Sequence, residues 1–410
     1  MLAVTLADIE AARRTLTGQV VRTPFLPAPK LSALTGAEVY VKYENLQVTG
    51  SFKDRGAYVR LMGLTADERR RGVVAMSAGN HAQAVAYLAR RLGIAATIVM
   101  PNTTPFVKVA ATSAYGAEVV LEGETLSAAQ ARVEALIAAR GLTLVHPYDD
   151  PRIIAAQGTV ALEMLEEVPG LDVLVVPVGG GGLIAGSAVA ARGVKPAIEI
   201  VGVQAALYPA MRNARRGEER PIGGTTLAEG IAVKNIGALT LPVVRELVAD
   251  IVLAGEAELE RAVNAYLTLQ KTVAEGAGAA GLAGMLASPE RFRGRRVGLI
   301  LSGGNIDPRI LASIMVRELE RDDRIVSIRL TIPDRPGLLG EVATLLGRLG
   351  VNILEVDHRR NSLDVPAKGA KLDVTVETRD HTHAEEIMTA LAGAGYKPVR
   401  IDPGGEGFMP

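Results

Sequence analysis

Cysteine and tryptophan are absent from the sequence, and aromatic residues make up only 3% of its 410 residues. The absence of cysteine excludes disulfides, thiolate metal ligands and cysteine nucleophiles. The scarcity of aromatic residues predicts a core of small aliphatic side chains. The 45 Lys and Arg residues balance the 45 Asp and Glu residues, so the chain has no general attraction for nucleic acid or for a membrane surface.

Long uninterrupted apolar runs are also lacking. The region 171–191 contains Asp172, Pro177 and four consecutive glycines, which favours a strand, a loop and a helix over a membrane span. Asp8 and Glu10 stand where a signal peptide would need its apolar segment, so we expect a cytoplasmic protein. The length predicts two or three domains. The mean hydropathy of +0.22 predicts a large subunit interface and therefore a homo-oligomer, either a dimer or a tetramer.

Two features that are present indicate one kind of site. Residues 50–56 read Gly-Ser-Phe-Lys-Asp-Arg-Gly, so small residues let a bulky group approach the amine of Lys53. A lysine becomes a nucleophile toward carbonyl carbon when desolvation lowers its pKa. Four glycines at 179–182 separate an apolar segment from a helical one, and a helix N-terminus after such a turn can bind phosphate through its N–H groups. An aldehyde-binding lysine and a phosphate site together indicate pyridoxal 5′-phosphate.

The segment 43–57 resembles the cofactor-lysine segment of the threonine/serine dehydratases, which are tryptophan-synthase-β-like, or fold type II, pyridoxal-phosphate enzymes. Four further stretches match in the same order, at 77–83, 146–151, 179–183 and 301–305. Several motifs in a fixed order are far more specific than one motif. The resemblance covers about residues 5–315. It implies an α/β catalytic domain built from two open parallel-sheet subdomains.

The resemblance also implies a role for each matched residue. Lys53 would bind the cofactor covalently and then remove the proton from the substrate Cα. Asn80 would hydrogen-bond the cofactor 3′-oxygen, Ser302 would face the pyridine nitrogen, and Glu275 would lie near the ring, although the family usually has proline after this acid. The other cofactor-binding residues would be Phe52, Gly179, Gly180, Gly181, Gly182 and Leu183. The substrate carboxylate would lie against the loop of Ser77, Ala78, Gly79, Asn80 and His81.

Each feature also has a simpler interpretation. Lys53 could merely neutralise Asp54, and the segment 77–80 could be a turn that caps a helix. Residues 180–185 fit the dinucleotide pattern Gly-x-Gly-x-x-Ala, with Glu199 near the position of a ribose-binding acid. That interpretation leaves Lys53 unexplained, and Glu199 lies inside its predicted strand.

Histidines offer no convincing metal site or base. His81 and His146 are expected to be structural, since the lysine serves as the base. His381 and His383 have the spacing of a metal-binding pair, but they begin a polar helix and have no third ligand in view. We predict no metal.

The sequence pattern changes near residue 317. We predict a catalytic domain at 1–316, with a smaller subdomain at about 48–150 inserted in the larger one, a charged linker at 317–324, and a second domain at 325–403. In this second domain, alternating apolar positions and helical stripes predict the order βαββαβ. Strands are expected at 326–332, 353–360, 372–378 and 397–401, and helices at 338–349 and 384–394.

The second domain resembles an ACT domain, an amino-acid-sensing module, because Asp-Arg-Pro-Gly-Leu at 334–338 occupies its first strand–helix turn. The amides of Gly337 and Leu338 would suit the α-carboxylate of an effector. Asn352 would hold the effector's ammonium or amide group if a neighbouring subunit closes the site. Isoleucine and valine are the effectors we expect. The alternative is a domain that only dimerises through its sheet edges.

Together the resemblances imply a β-elimination that converts L-threonine to 2-oxobutanoate and ammonia, and L-serine to pyruvate, under allosteric control. Isoleucine biosynthesis and threonine degradation both remain open as metabolic roles. A serine racemase is one alternative, although the second serine of that family is Ala78 here and its metal-binding carboxylates would fall near Gln204 and Ala210. Threonine synthase shares the residues 49–56 but lacks the preceding Glu-Asn-Leu-Gln context. An amino-acid sensor with minor catalysis is the remaining alternative.

Overall fold

The computed structural model describes residues 2–124, 126–360 and 368–401, and the chain divides into two compact units, Met1–Ile306 and Asp307–Pro410. The helices of the first unit are α1 (Leu6–Leu16), α2 (Pro29–Thr35), α3 (Lys53–Met62), α4 (Ala66–Arg71), α5 (Asn80–Arg91), α6 (Phe106–Ala114), α7 (Leu126–Arg140), α8 (Pro151–Glu167), α9 (Gly182–Val194), α10 (Ala210–Arg216), α11 (Thr240–Leu247), α12 (Glu256–Gln270), α13 (Gly276–Ala287) and α14 (Pro289–Phe292). Its strands are β1 (Phe25–Pro27), β2 (Glu38–Tyr43), β3 (Val73–Met76), β4 (Ala96–Met100), β5 (Glu118–Leu121), β6 (Thr143–Leu144), β7 (Val173–Pro177), β8 (Glu199–Ala205), β9 (Asp250–Ala254) and β10 (Arg296–Leu301).

The second unit contains helices α15 (Pro308–Arg321), α16 (Leu338–Arg348) and α17 (His381–Gly393). Its strands are β11 (Ile325–Pro333), β12 (Asn352–Arg359), β13 (Gly369–Glu377) and β14 (Pro398–Ile401). Among the described residues, no helix has the length and apolar character needed to cross a membrane.

Two sheets form the framework of the first unit. The larger sheet has the order β1-β2-β10-β7-β8-β9 and the smaller one the order β5-β4-β3-β6. Neighbouring strands are parallel except for the edge strand β1, which is antiparallel to β2. Strands β4 and β7 are buried along their whole length, as expected for parallel strands covered by helices on both faces. The two-sheet α/β prediction is therefore confirmed.

The smaller sheet lies within one long insertion between strands of the larger sheet. Strands β2 and β10 pair side by side, with Tyr43 opposite Leu301, although more than 250 residues separate them in the sequence. All strands of the smaller sheet fall inside the range 48–150 predicted for the smaller subdomain. The domain bounds themselves remain predictions.

Two apolar helices of the first unit have little exposed surface. Residues 182–191 of α9 and residues 276–285 of α13 are continuously buried. A helix that is apolar on all sides belongs in a core, and frequent glycines allow the close approach. A Cβ on Gly186 of α9, for example, would lie 2.1 Å from the carbonyl oxygen of Ile154 in α8.

After α15, the second unit has the predicted order βαββαβ, in a sheet of order β12-β13-β11-β14. The buried side chains Val326, Ile328, Leu330 and Ile332 alternate along β11, as their sequence pattern predicts. Helix α17 begins three residues earlier than predicted, because the Asp380 side chain accepts a hydrogen bond from the His383 N–H and caps the helix.

Part of the segment predicted as a linker is helical in the structure. Helix α15 continues through Arg321, so residues 317–321 are helical, and the compact units divide between Ile306 and Asp307. Glu318 is buried in this helix, although a run of charged residues usually indicates a solvated segment. Residues 402 and 403, at the predicted end of the second domain, lie outside the described residues.

Candidate active site

Lys53 is the first residue of α3, at the end of a loop that follows β2. Its Nζ donates a hydrogen bond to the Pro147 carbonyl oxygen at 2.8 Å and lies 5.0 Å from the centroid of the Phe52 ring. Burial lowers the pKa of Lys53 to about 8, although the Glu275 carboxylate acts in the opposite direction. The amine is therefore neutral, and nucleophilic, at a lower pH than an exposed lysine.

Asp54 does not need Lys53 as its counter-ion. Its carboxylate accepts hydrogen bonds from the backbone N–H of Thr49, at 3.1 Å, and from the Thr49 hydroxyl. Burial raises the pKa of Asp54 to about 6. The described contacts thus favour a separate task for the lysine over simple charge neutralisation.

The Lys53 segment is joined directly to the loop that follows β10. The Phe52 N–H donates to the Ser302 carbonyl oxygen at 3.1 Å, and the Gly304 N–H donates to the Gly50 carbonyl oxygen at 3.0 Å. Gly50 has a φ of +75°, a conformation that favours glycine. Ser302 is buried and comes immediately after β10, so the structure brings it together with Lys53 as predicted.

The four glycines connect β7 to α9. A Cβ on Gly180 would lie 2.4 Å from three atoms of the Tyr148 ring, and a Cβ on Gly182 would lie 2.9 Å from the Tyr148 carbonyl oxygen. Gly181 has a φ of +102°, so glycine is needed there for the backbone conformation. The first N–H groups of α9 have no partner within the helix and can bind an anion at this end.

The loop from Ser77 to Asn80 joins β3 to α5. The Ser77 Oγ accepts a hydrogen bond from the Gly79 N–H at 3.2 Å, and Gly79 caps α5 without a side-chain hydrogen bond. The His81 ring is buried, and its Nε2 lies 2.8 Å from the Val145 carbonyl oxygen. Burial lowers the pKa of His81 to about 3, so this side chain is a neutral structural group and only its backbone can face the loop.

Asn80 and Glu275 are 195 residues apart in sequence but in contact. The Asn80 Nδ2 donates a hydrogen bond to Glu275 Oε1 at 2.6 Å. Burial raises the pKa of Glu275 to about 7. Gly276 follows this acid, and a Cβ on it would lie 2.4 Å from the Leu227 carbonyl oxygen, so the backbone leaves no room for a side chain there.

The dinucleotide interpretation of the glycine run does not match these contacts. Glu199 begins strand β8, and its carboxylate forms ion pairs with Arg291 at 2.5 Å and with Arg295 at 2.6 Å. Because two cations already engage this carboxylate, it is not free to bind a ribose beside the glycine run.

Three kinds of interaction around the site have no signal in the local sequence. Tyr148 packs on the glycine run and donates to the Asn235 carbonyl oxygen at 2.6 Å. Lys108 of α6 forms an ion pair with Glu229, which begins a short 3-10 helix at Glu229–Ile231. Asn305 hydrogen-bonds Asn80 at 2.7 Å. Tyr148 and Asn305 do belong to matched motifs, and that membership is the one feature of the sequence that draws attention to them.

A buried group of charges lies behind the Lys53 segment; we call it the buried charge cluster, and it consists of Lys42, Glu44, Arg55 and Glu163. Arg55 donates to both oxygens of Glu44, at 2.7 and 2.8 Å, and to both oxygens of Glu163, at 2.6 and 2.9 Å. It also donates to the Thr159 hydroxyl at 3.1 Å. Lys42 donates to Glu163 at 2.6 Å. The cluster has equal numbers of positive and negative groups. It links β2, α3 and α8, and α3 is the helix that begins with Lys53.

The histidine pair in the second unit has other partners. His381 Nδ1 lies 2.5 Å from Asp323 Oδ2, and His383 Nε2 lies 2.9 Å from the Leu349 carbonyl oxygen. In the part of the chain that the structure describes, no three His, Cys, Asp or Glu side chains form a group able to hold a metal ion.

The three residues predicted for an effector site do not meet in one copy of the second unit. In the sheet, Asn352 lies opposite Glu377, and Glu377 lies opposite Ile325 at the start of β11. Gly337 and Leu338 come after Pro333, the last residue of β11. Those ends are about 26 Å apart at 3.3 Å per strand residue. Asn352 instead lines a cavity of about 440 Å³ together with Arg324, Glu377, Thr378, Arg379, His383 and Gly350.

The residues of the first unit fit pyridoxal phosphate by their chemistry. A half-buried lysine amine is available for the aldehyde, and the glycine run leaves space at a helix N-terminus for the phosphate. Ser302 offers a neutral hydroxyl, and Asn80 with Glu275 offers an amide and an acid. They converge because Lys53, Ser77, Gly179 and Ser302 all follow the carboxyl ends of strands, where ligands of open α/β sheets bind.

Comparison with known proteins agrees with this site. Residues 16–303 match the family model for pyridoxal-phosphate dependent enzymes, and residues 326–395 match the ACT domain. An L-threonine ammonia-lyase of Thermotoga maritima is 45% identical over 97% of this chain and 99% of its own length. The crystal structure of the T.th. threonine deaminase covers 74% of this chain and 99% of its own, with 38% identity and a TM-score of 0.70. A serine racemase from Dictyostelium discoideum covers the same shares with 35% identity and a TM-score of 0.70.

The chain therefore belongs to the pyridoxal-phosphate-dependent enzymes of fold type II and carries an ACT domain after its catalytic part. Within that class, relatives that it matches over nearly its full length are threonine ammonia-lyases, so the chain is a lyase of the carbon–nitrogen type and depends on pyridoxal phosphate.

Proposed function

We propose that the protein converts L-threonine to 2-oxobutanoate and ammonia, and L-serine to pyruvate and ammonia. One observation carries this proposal above all. The chain is 45% identical, over 97% of its own length, to an L-threonine ammonia-lyase. Its Lys53, whose pKa is lowered to about 8, shares one site with Ser302, the glycine run and the Asn80–Glu275 pair.

Each residue has a task in this proposal. Lys53 would hold the cofactor through its amine and would be the base that removes the proton from the substrate Cα. The N–H groups of the glycine run would hold the cofactor phosphate, and Phe52 would pack against the cofactor. The loop of residues 77–81 binds the substrate carboxylate through its backbone. The bound pyridoxal ring supplies an acceptor for the electrons released at Cα.

Ser302 favours elimination over competing reactions. Ser302 would present a neutral hydroxyl to the pyridine nitrogen, which does not keep that nitrogen protonated as a carboxylate would. The cofactor would then supply a weaker electron acceptor, which suits prompt departure of the β-hydroxyl.

A serine racemase is the second candidate, since one of the similar structures is such an enzyme. Two features argue against racemisation as the main reaction. Ala78 has no hydroxyl with which to return a proton to the face opposite Lys53. Gln204 is buried in β8, where its Oε1 accepts the Arg212 backbone N–H at 3.0 Å, and it is not a carboxylate.

An amino-acid effector at the ACT domain is also part of the proposal. The carboxylate would bind at Gly337 and Leu338, and the ammonium or amide group at Asn352 of another copy, with isoleucine and valine as the first effectors to test. A homo-oligomer, dimer or tetramer, follows from this arrangement. The cytoplasmic location and the choice between biosynthetic and degradative roles stay predictions.

Borohydride reduction of the cofactor-loaded protein tests the proposal. Peptide mapping should find the reduced cofactor on Lys53, and Lys53→Ala should lose threonine turnover by several orders of magnitude, because cofactor attachment and proton removal disappear together. Product analysis with threonine, serine and hydroxyaspartate then ranks the substrates. An adduct on a different lysine would refute the site, and D-serine as the main product would favour the racemase.

A further inference from the structure

A row of hydrogen-bonded groups crosses the active site from Thr49 to Glu275. Asn305 Nδ2 donates to the Thr49 carbonyl oxygen at 2.7 Å and to Asn80 Oδ1 at 2.7 Å. Asn80 Nδ2 donates to Glu275 Oε1 at 2.6 Å. The row joins the Lys53 segment, the loop after β10, the start of α5 and the residue that precedes α13, although neither asparagine is near its partners in sequence.

The orientation of both asparagine amides in this row is fixed at one end by the backbone carbonyl of Thr49. A backbone carbonyl only accepts hydrogen bonds, so Asn305 must present its NH2 group to Thr49. The second hydrogen of the same NH2 group points to Asn80 and requires an acceptor there, which is the amide oxygen of Asn80. The NH2 group of Asn80 must then face Glu275, whose carboxylate also accepts. Reversing either amide would place two acceptors or two donors against each other.

Gly50 leaves room for this arrangement. A Cβ at that position would lie 2.6 Å from Asn305 Oδ1, and the positive φ of Gly50 already requires glycine. The side chain of Asn305 is therefore held between the Lys53 segment and Asn80, although it is exposed on its outer side.

We propose that Asn305 is a positioning residue, which sets the orientation of the Asn80 amide so that Asn80 offers an N–H donor, and not its carbonyl oxygen, to an anionic oxygen of the bound cofactor. The inference rests on the proposed function, because it concerns the same site. Asn305 itself acts only through Asn80.

Two substitutions separate this role from simple packing. Asn305→Asp keeps the shape of the side chain but replaces the donor with an acceptor, opposite the Thr49 carbonyl and the Asn80 oxygen. Asn305→Ala removes the side chain altogether. A space-filling role predicts that the alanine variant is the more damaged, whereas a role in orientation predicts that the aspartate variant is.

The measurement is the affinity of the cofactor-free protein for pyridoxal phosphate, titrated by visible absorption, together with the pH midpoint of the bound cofactor's absorption. We expect Asn305→Ala to weaken binding by about 3- to 10-fold, the effect of one or two net hydrogen bonds. Asn305→Asp should weaken it at least about threefold further and move the pH midpoint.

Asn45→Ala is the matched control. Asn45 adjoins the same loop, since a Cβ on Gly304 would lie 3.2 Å from its Cβ, and it donates to Thr272 at 2.8 Å and to Val273 at 3.0 Å. Loss of the Asn45 side chain should lower the melting temperature without moving the pH midpoint of the bound cofactor's absorption. An aspartate variant that binds the cofactor as well as, or better than, the alanine variant overturns the inference. That outcome is distinct from failure of the proposed function, in which the unaltered protein would not attach the cofactor at Lys53.

Discussion

The amine of Lys53 should react with aldehydes at a lower pH than other lysines. Burial lowers the pKa of Lys53 to about 8, so the neutral fraction of its amine rises as the pH passes through this value. Exposed lysines become neutral only around their ordinary pKa of about 10.4. The rate at which the cofactor-free protein forms a borohydride-trapped adduct with pyridoxal phosphate should therefore increase between about pH 7 and 9 and then level off. Lys53→Ala supplies the background from exposed lysines. A rate that kept increasing to about pH 10 would show that the amine is not desolvated.

Ala78→Ser should introduce racemisation of serine. The new hydroxyl could donate a proton to the face opposite Lys53, and a positioned acid typically contributes about 10²- to 10⁴-fold. We expect D-serine at about a hundred times the background rate, the lower end of that range, while elimination continues. Ala78→Val adds bulk without a proton and serves as the control. A folded, active serine variant that forms no D-serine would contradict this account of why the reaction ends in elimination.

At the scale of single residues, the sequence is informative where the chemistry requires a particular residue type. The sequence singles out Lys53 and the glycines because few residue types suit an aldehyde or a close approach of the backbone, and their roles stay predictions. Asn305 could not be assigned a role, since its partners Asn80 and Thr49 are 225 and 256 residues away in the sequence.

Among the structural elements, the turn between β7 and α9 has little room for a side chain. Gly180→Ala should weaken cofactor binding by about tenfold or more, because the new Cβ would lie 2.4 Å from the Tyr148 ring and overpacking typically costs about 1–3 kcal/mol. The hydrogen bond from Tyr148 to Asn235 restrains the ring from moving away. Cofactor titration and the melting temperature measure the two consequences.

Gly347→Ala is the matched control for that substitution. Gly347 lies in α16, and a Cβ there would meet nothing within 4 Å, so alanine should be neutral or slightly stabilising. Unchanged cofactor affinity in Gly180→Ala would mean that the loop relaxes freely, and that the close packing of Tyr148 is not what preserves glycine at this position.

Helices and strands were predictable where their patterns are regular. The alternation along β11 and the continuous apolar run of β7 identified both strands. Helix α15 shows the limit, because dense charges favour a linker at 317–324 whereas the helix continues through Arg321, and the burial of Glu318 depends on contacts that composition does not reveal. Helix α17 begins at His381 because Asp380 caps it, whereas its apolar pattern begins only at Ala384.

On the scale of the whole catalytic unit, the buried charge cluster should be a principal determinant of stability. Arg55→Met would leave the carboxylates of Glu44 and Glu163 with Lys42 as their one remaining partner in the cluster, and removing one partner of a buried ion pair typically costs about 3–5 kcal/mol. Urea denaturation of the cofactor-free protein measures the loss. Arg70→Met is the control, since Arg70 and Asp67 form a pair whose side chains are 72% and 65% exposed, and it should cost at most about 1 kcal/mol. Equal losses in the two variants would contradict the assigned importance of the cluster.

The second unit should make catalysis responsive to an amino acid. We expect isoleucine or valine to shift the half-saturating threonine concentration of the full chain by about 5- to 150-fold, the usual range of allosteric coupling. Asn352→Ala should reduce this shift, whereas Thr331→Ala, an exposed position on β11, should leave it unchanged. If none of the common amino acids changes either half-saturation or melting temperature, the domain serves only for association.

The separation of Asn352 from Gly337 and Leu338 along the sheet makes such a response sensitive to dilution. A ligand that needs groups from two copies of the chain binds only where those copies are already together, and by mass action it also holds them together. The amount of effector needed for half its effect should therefore decrease as the protein concentration increases, until assembly is complete. In a cell, the abundance of the enzyme would then help to set its own threshold for inhibition or activation.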